Sequence, residues 1–166
     1  MKHLLLINGT MGAGKTEVCK QLSRILNKNV YLDGDWCWNM NPFVVNDETK
    51  KMVMDNISHL LNNFISCSSL NNLIFCWVMH EQWIIDDLLS RLDLSNTLVH
   101  VFTLMPDKEV LTKRLKKDID NGLRKEEAIS KSLEYLDKYF LIRSIKIDVS
   151  SINPRQAAKI IASHIK

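Results

Sequence analysis

Between positions 9 and 16 the chain reads Gly9, Thr10, Met11, Gly12, Ala13, Gly14, Lys15, Thr16, a complete phosphate-loop pattern. Glycines at these points permit positive φ and close backbone approach, so successive N–H groups and the start of a following helix can converge on a phosphate. In this spacing Lys15 reaches β- and γ-phosphates and Thr16 offers its hydroxyl to Mg²⁺. Gly9, Met11, Gly12, Ala13, Gly14, Lys15, Thr16 and the adjoining Glu17 are the expected cradle for the phosphates of a nucleotide.

A second group with chemical potential is Asp33, Gly34, Asp35, Trp36, at the end of the apolar run Val30 to Leu32. One carboxylate can hold Mg²⁺ through water, with Asp33 beside Thr16 as the metal candidate. The other can accept a proton from a substrate hydroxyl, and the spacing leaves Asp33 and Asp35 both open for that role. Trp36, Trp38, Met40 and Phe43 follow, while Trp77, His80, Glu81 and Trp83 cluster after a later apolar run. Trp36, Trp38, Trp77 and His80, with Asp35, are the expected acceptor contacts, through ring faces, indole N–H groups and an imidazole.

Competing phosphate-loop chemistries lack their partners. No Asn-Lys-x-Asp base-reading string exists; Asn27, Lys28, Asn29, Val30 has no aspartate, and no Asp-x-x-Gly switch is present. The run Leu73 to Val78 continues into Met79 and His80 instead of ending in a carboxylate, and Asp86 and Asp87 fall on a helix-spaced segment.

These residues need a scaffold, and the apolar pattern describes one. Leu4–Ile7, Val30–Leu32, Leu73–Val78, Leu98–Leu104 and Ile145–Val149 are short, nearly continuous apolar runs, as in parallel strands covered on both faces. Val18, Leu22, Ile25 and Leu26 share a helix face, as do Val53, Ile57, Leu60, Leu61 and Phe64, and Ile84, Ile85, Leu88, Leu89 and Leu92. Further helices are expected over Asp107 to about Asn121, about Lys125 to Phe140, and from Pro154 onward, with Asn153 as N-cap. The alternation predicts a three-layer α/β/α fold around a five-stranded parallel sheet.

With 166 residues, 46% hydrophobic and 25% charged, the chain has the size of one domain that folds without disulfides or structural metal. The balance of 22 basic and 19 acidic residues is too slight and dispersed for a nucleic-acid footprint. The four cysteines form no Cys-x-x-Cys pair and the five histidines no ligand spacing. The opening MKHLLLING is too short for a secretory signal, and no apolar stretch is long enough for a membrane helix, so a cytoplasmic protein is expected.

Taken together, the phosphate loop, the Asp33–Asp35 pair, the basic segment after the fourth strand and the terminal string Ile147 to Pro154 resemble the small phosphate-loop kinases related to nucleoside monophosphate kinases. Shikimate kinase, gluconate kinase and chloramphenicol phosphotransferase belong to that group, and the stretches DGDWCWNMNPF and WVMHEQWIIDDLL look most like bacterial AAA-type kinase-like proteins. The resemblance implies transfer of a γ-phosphoryl group from Mg-ATP to a hydroxyl of a small molecule such as a nucleoside, nucleotide, sugar derivative or antibiotic. It implies a lid over about 114–130, an acceptor-binding helical region over about 36–66, Arg114 and Pro154 on opposite faces of adenine, and Arg124 as phosphate clamp. Many relatives carry a second arginine where this chain has Asp118. A monomer or homodimer is expected; a nucleotide-binding regulatory protein, or a kinase of macromolecules, is the alternative.

Overall fold

A computed structural model describes residues 1–165. The strands are β1 (Lys2–Asn8), β2 (Asn29–Asp33), β3 (Asn72–Cys76), β4 (Thr97–Met105) and β5 (Ile145–Asp148). The helices are α1 (Lys15–Ile25), α2 (Asp47–Ser66), α3 (Gln82–Ser90), α4 (Lys108–Asp120), α5 (Glu127–Tyr139) and α6 (Pro154–Ser163), with a short 3-10 helix at Gly34–Trp38. All pairings are parallel in the order β2-β3-β1-β4-β5.

The continuous apolar runs follow from burial on both faces. Leu4, Leu6, Leu73 and Phe75 pack with Val53, Ile57, Leu61, Ile85, Leu111 and Leu136 from α2, α3, α4 and α5. Leu5, Ile7, Ile74, Phe102 and Leu104 face the other way, onto Val18 and Leu22 of α1 and Ala157, Ala158 and Ile161 of α6. Each fully buried Leu or Ile contributes about 1.5–3 kcal/mol relative to exposure, so a one-residue register slip is strongly resisted.

Caps set the helix entries. Asn46 and Thr49 form a reciprocal capping box on α2, and Asn153 and Gln156 form one on α6, where Pro154 occupies the first turn. Asp107 caps α4 by accepting from the Val110 N–H. Strand β3 ends at Cys76, two residues before the expected Val78: the Trp77 N–H still reaches the Ile7 carbonyl at 3.4 Å, and beyond it the Asn8 side chain pairs with the N–H and carbonyl of Met79.

At the opposite end of the sheet His3 and His100 lie on neighbouring strands with Nδ1 and Nε2 3.1 Å apart and rings stacked at 5.3 Å. His164 meets Phe102 edge-on at 5.6 Å. No described helix is long and apolar enough to cross a membrane.

Candidate active site

The loop between β1 and α1 is fixed from below by Asn8. Its buried side-chain oxygen accepts from the Gly9 and Met79 N–H groups at 2.9 and 3.0 Å, and its amide donates to the Met79 carbonyl at 2.8 Å. Gly12 has φ 82°, and a Cβ there would lie 2.8 Å from Leu115 Cδ2, so the loop and α4 approach too closely for a side chain. Thr10 is fully buried and donates to the Ser132 carbonyl at 3.0 Å, tying the loop to α5.

Lys15 curls back over this loop, donating to the carbonyls of Gly9 (2.9 Å) and Thr10 (3.1 Å). Burial holds its ammonium below the ordinary lysine range, a cost partly offset by Cys76, Asp35 and Asp33. A phosphate arriving there would restore a full counter-charge.

Although β3 separates β2 from β1, helix α1 crosses that gap and brings Thr16 Oγ1 within 3.3 Å of Asp33 Oδ2. Asp33 is buried and heavily engaged: it also accepts from the Tyr31 hydroxyl at 2.9 Å and, as cap of the 3-10 helix, from the Asp35 N–H at 3.1 Å. Tyr31 itself is held protonated, its pKa raised by burial and by Cys76, which lies 3.3 Å from its oxygen. Asp35 stands one step further out. Desolvation, then the neighbouring Asp33 charge, raise its pKa, while Lys15, the Trp77 indole and Arg124 pull it down. Of the two carboxylates, Asp33 is thus taken up by donors, and Asp35 faces the opening.

The opening is a cleft of about 940 Å³ with the phosphate loop at its floor. On the β2–β3 side Asp35, Trp36, Trp38, Asn39, Phe43 and Trp77 form one wing; on the β4–β5 side Arg114 closes the other. Trp38 stands between Phe43 (5.8 Å between centroids) and Trp77 (6.3 Å). Trp77 in turn lies flat on Gly34, where a Cβ would come within 2.5 Å of its Cγ. Glu17 lines the cleft and pairs with Lys20 at 2.7 Å.

Arg114 donates to the Val149 carbonyl at 2.8 Å and to the Ala13 carbonyl at 3.4 Å, pinning the loop against the segment after β5. Arg124 lies in the turn of residues 121–126 and its Nε pairs with Asp118 Oδ2 at 3.0 Å; both side chains line the cleft. The expected lid region therefore comprises the end of α4, that turn and the start of α5. Lys113, Lys116 and Lys117 lie with Lys108 on a separate shallow groove along α4.

Two expected residues and most of one expected region lie outside the cleft lining. Pro154 opens α6 and is outside the cleft lining that holds Arg114. His80 is also outside the lining: its ring stacks on Tyr135 at 4.2 Å, and burial followed by Lys138 lowers its pKa. The nearby Glu81 pairs with Lys138 at 2.7 Å. Of the expected 36–66 region, only the part before α2 reaches the cleft, because α2 spends its apolar face on the core.

Asn8, Tyr31, Gly34 and Asp118 join the site without having been singled out as functional. Gly34 carried a signal in the Asp-Gly-Asp string; Tyr31 and Asp118 meet partners two and six residues away, at Asp33 and Arg124, while Asn8 meets one distant in sequence, Met79.

Mg²⁺ fits this donor set in one manner. Thr16 and Asp33 would hold it alongside phosphate oxygens and water, as Mg²⁺ prefers few protein ligands. Among the described residues no group of three or more His, Cys, Asp or Glu side chains is gathered for a metal.

Residues 5–134 match the family model described as "AAA domain". By sequence, no curated protein matches the chain. Among solved structures, the tunicamycin resistance protein of Deinococcus radiodurans superposes with a TM-score of 0.73 at 18% identity, covering 99% of this chain and 96% of that one. A gluconokinase from Sinorhizobium meliloti 1021 gives 0.69 at 14%, with 99% and 93% covered. Shikimate kinase from Acinetobacter baumannii in complex with shikimate gives 0.65 at 21%, with 99% and 93% covered. The fold they share with this chain is the α/β phosphate-loop fold.

Proposed function

The chain belongs to the AAA-domain family of phosphate-loop proteins, and from that premise we propose that it is an ATP- and Mg²⁺-dependent kinase acting on a hydroxyl of a small molecule. The observation that carries this reading is Asp35, a carboxylate facing the cleft beside Lys15 while Asp33 is engaged by Thr16. A protein that only held nucleotide would need no proton acceptor at that point.

In this mechanism the loop N–H groups and Lys15 bind the β- and γ-phosphates, exchanging the Gly9 and Thr10 carbonyls for phosphate oxygens. Mg²⁺, when bound between Thr16 and Asp33, supplies charge neutralisation of the phosphate oxygens. Asp35 orients the acceptor hydroxyl and takes its proton as the acceptor oxygen forms its bond to the γ-phosphorus and the bond to the leaving ADP oxygen breaks. Arg124 stabilises the negative charge on the transferring group, and the turn that carries it excludes water. Positioning and electrostatics do most of the work.

Acceptor-stimulated release of ADP from Mg-ATP, across nucleosides, sugars, sugar acids and hydroxylated antibiotics, tests the reading, with Lys15→Ala as control. Stimulation by one class, lost in the control, is expected. ATP binding without stimulation by any acceptor would favour a regulatory nucleotide-binding role or a macromolecular substrate.

A further inference from the structure

The charge inventory of the cleft bears on the acceptor, on the kinase reading just given. Three cations line it, and each already has a protein partner: Lys15 the loop carbonyls, Arg114 the carbonyls of Ala13 and Val149, Arg124 the Asp118 carboxylate. All three stand over the loop or on its β4–β5 and lid sides. The β2–β3 wing holds Asp33 and Asp35 with Trp36, Trp38, Phe43 and Trp77, and no Lys, Arg or His lies among its lining residues.

An anionic group seated on that wing would face two carboxylates, while Lys15 and Arg124, the cations whose charge reaches Asp35, are held by the loop carbonyls and by Asp118, a repulsive placement. The rings offer something else. Trp36 is 57% and Phe43 67% exposed, large apolar area held open inside a concave site, where a ligand's face would cover it. Trp38 spends its indole N–H on the Val44 carbonyl at 3.2 Å, so it has only its ring face to offer. A protonated amine would suit the charges, but paired to Asp35 it would occupy the carboxylate that must receive the hydroxyl proton. We infer that the acceptor is an uncharged alcohol with a flat or apolar face, seated against Trp36, Trp38, Phe43 and Trp77 with its hydroxyl at Asp35, and that anionic alcohols are rejected.

Three of the chain's four tryptophans line this wing and the fourth, Trp83, is outside it, so intrinsic fluorescence reports on the acceptor side. The full chain, saturated with Mg-ADP, is titrated with matched pairs: uridine against uridine 5′-monophosphate, and benzyl alcohol against 4-(hydroxymethyl)benzoate. The uncharged member of each pair is expected to bind at least about tenfold more tightly, a difference of ~1.4 kcal/mol. Asn39→Arg, which adds a cation to the wing, is expected to narrow or invert that ratio. Equal or tighter binding of the anionic members, or no response to either uncharged member, overturns the inference. Tight binding of uncharged alcohols with no stimulated ADP release leaves the inference standing and removes the kinase reading instead.

Discussion

Asp118 grips Arg124 by its inner nitrogen, Nε at 3.0 Å from Oδ2, and the terminal guanidinium nitrogens make no hydrogen bond to any described residue. A carboxylate on Nε fixes the plane of the guanidinium and leaves its outer fork for a ligand, the arrangement suited to a phosphoryl group. Asp118 sits one helical turn beyond Arg114, so the same face of α4 anchors the loop and aims the lid arginine. In the proposed kinase, Asp118→Ala is expected to lower kcat about tenfold while ATP affinity stays within about twofold, since the interaction acts in the transition state. Steady-state kinetics with an ATP titration check it; a raised kcat would make the pair a restraint.

Gly34→Ala tests the aromatic wing. The added methyl would sit 2.5 Å from Trp77 Cγ and 3.0 Å from its Cβ, atoms too near the backbone to swing away. Overpacking of this kind costs about 1–3 kcal/mol. For a domain of this size that is a melting temperature lower by roughly 2–12 °C. Thermal denaturation measures it, and acceptor binding is expected to weaken in parallel because Trp77 must shift.

Asp35→Asn separates stability from turnover. Burial and Asp33 disfavour the Asp35 charge in the folded protein, so its raised pKa makes the ionised form a small net liability to folding, one that grows as pH rises through that pKa. The amide is expected to raise the melting temperature slightly at neutral pH. In the proposed kinase, where Asp35 is assigned as proton acceptor, turnover should fall about 10²–10⁴-fold. In the parent protein the acid limb of kcat/KM is expected above the ordinary aspartate value of 3.8. A variant with parental turnover would remove Asp35 from the mechanism.

Two histidines set an acid limit on stability. His80 is depressed first by burial and then by Lys138, with Glu81 and Glu134 opposing; His100 is depressed by burial, then by His3 and His164. A lowered folded pKa means the stabilising contribution is complete above the unfolded value of 6.5 and is lost as pH falls through the folded value. The melting temperature is expected to hold between pH 7 and 8 and to fall by a few degrees by about pH 5. His100→Gln should flatten that slope, by differential scanning calorimetry.

What could be read in the sequence follows the range of the interactions. The phosphate loop is local chemistry, and its strand-before, helix-after setting is visible within about twenty-five residues. The five strands and the cap at Asn153 are equally local, and the structure has them near the expected bounds. Strand order is different: nothing between Asn29 and Cys76 reveals that β3 inserts between β2 and β1, yet that insertion decides that Thr16 meets Asp33 by way of α1. Tyr31, two residues before Asp33, was hidden because its value lies in a hydroxyl that supports the carboxylate. His80 was legible as a chemical residue, but its orientation depends on Tyr135, fifty-five positions away, which takes the ring out of the cleft lining. Asp118 was legible only as a departure from a pattern, and its pairing turns on the path of the following turn.

The two hydrogen bonds that tie the phosphate loop to α4 and α5 bear on how such a site can open. Arg114 of α4 is fastened to the Ala13 carbonyl, and Ser132 of α5 receives the Thr10 hydroxyl, so the helices on either side of the turn are both moored to the loop beneath it. With its flanks anchored, the covering element of the proposed kinase would be reduced to residues 121–126, whose Gly122 already sits at φ 70°. A segment of that length can shift without either flanking helix moving, a smaller rearrangement than the swing of a whole domain. In the proposed kinase, release of product would then ask only this short turn to move, with α4 and α5 left in place.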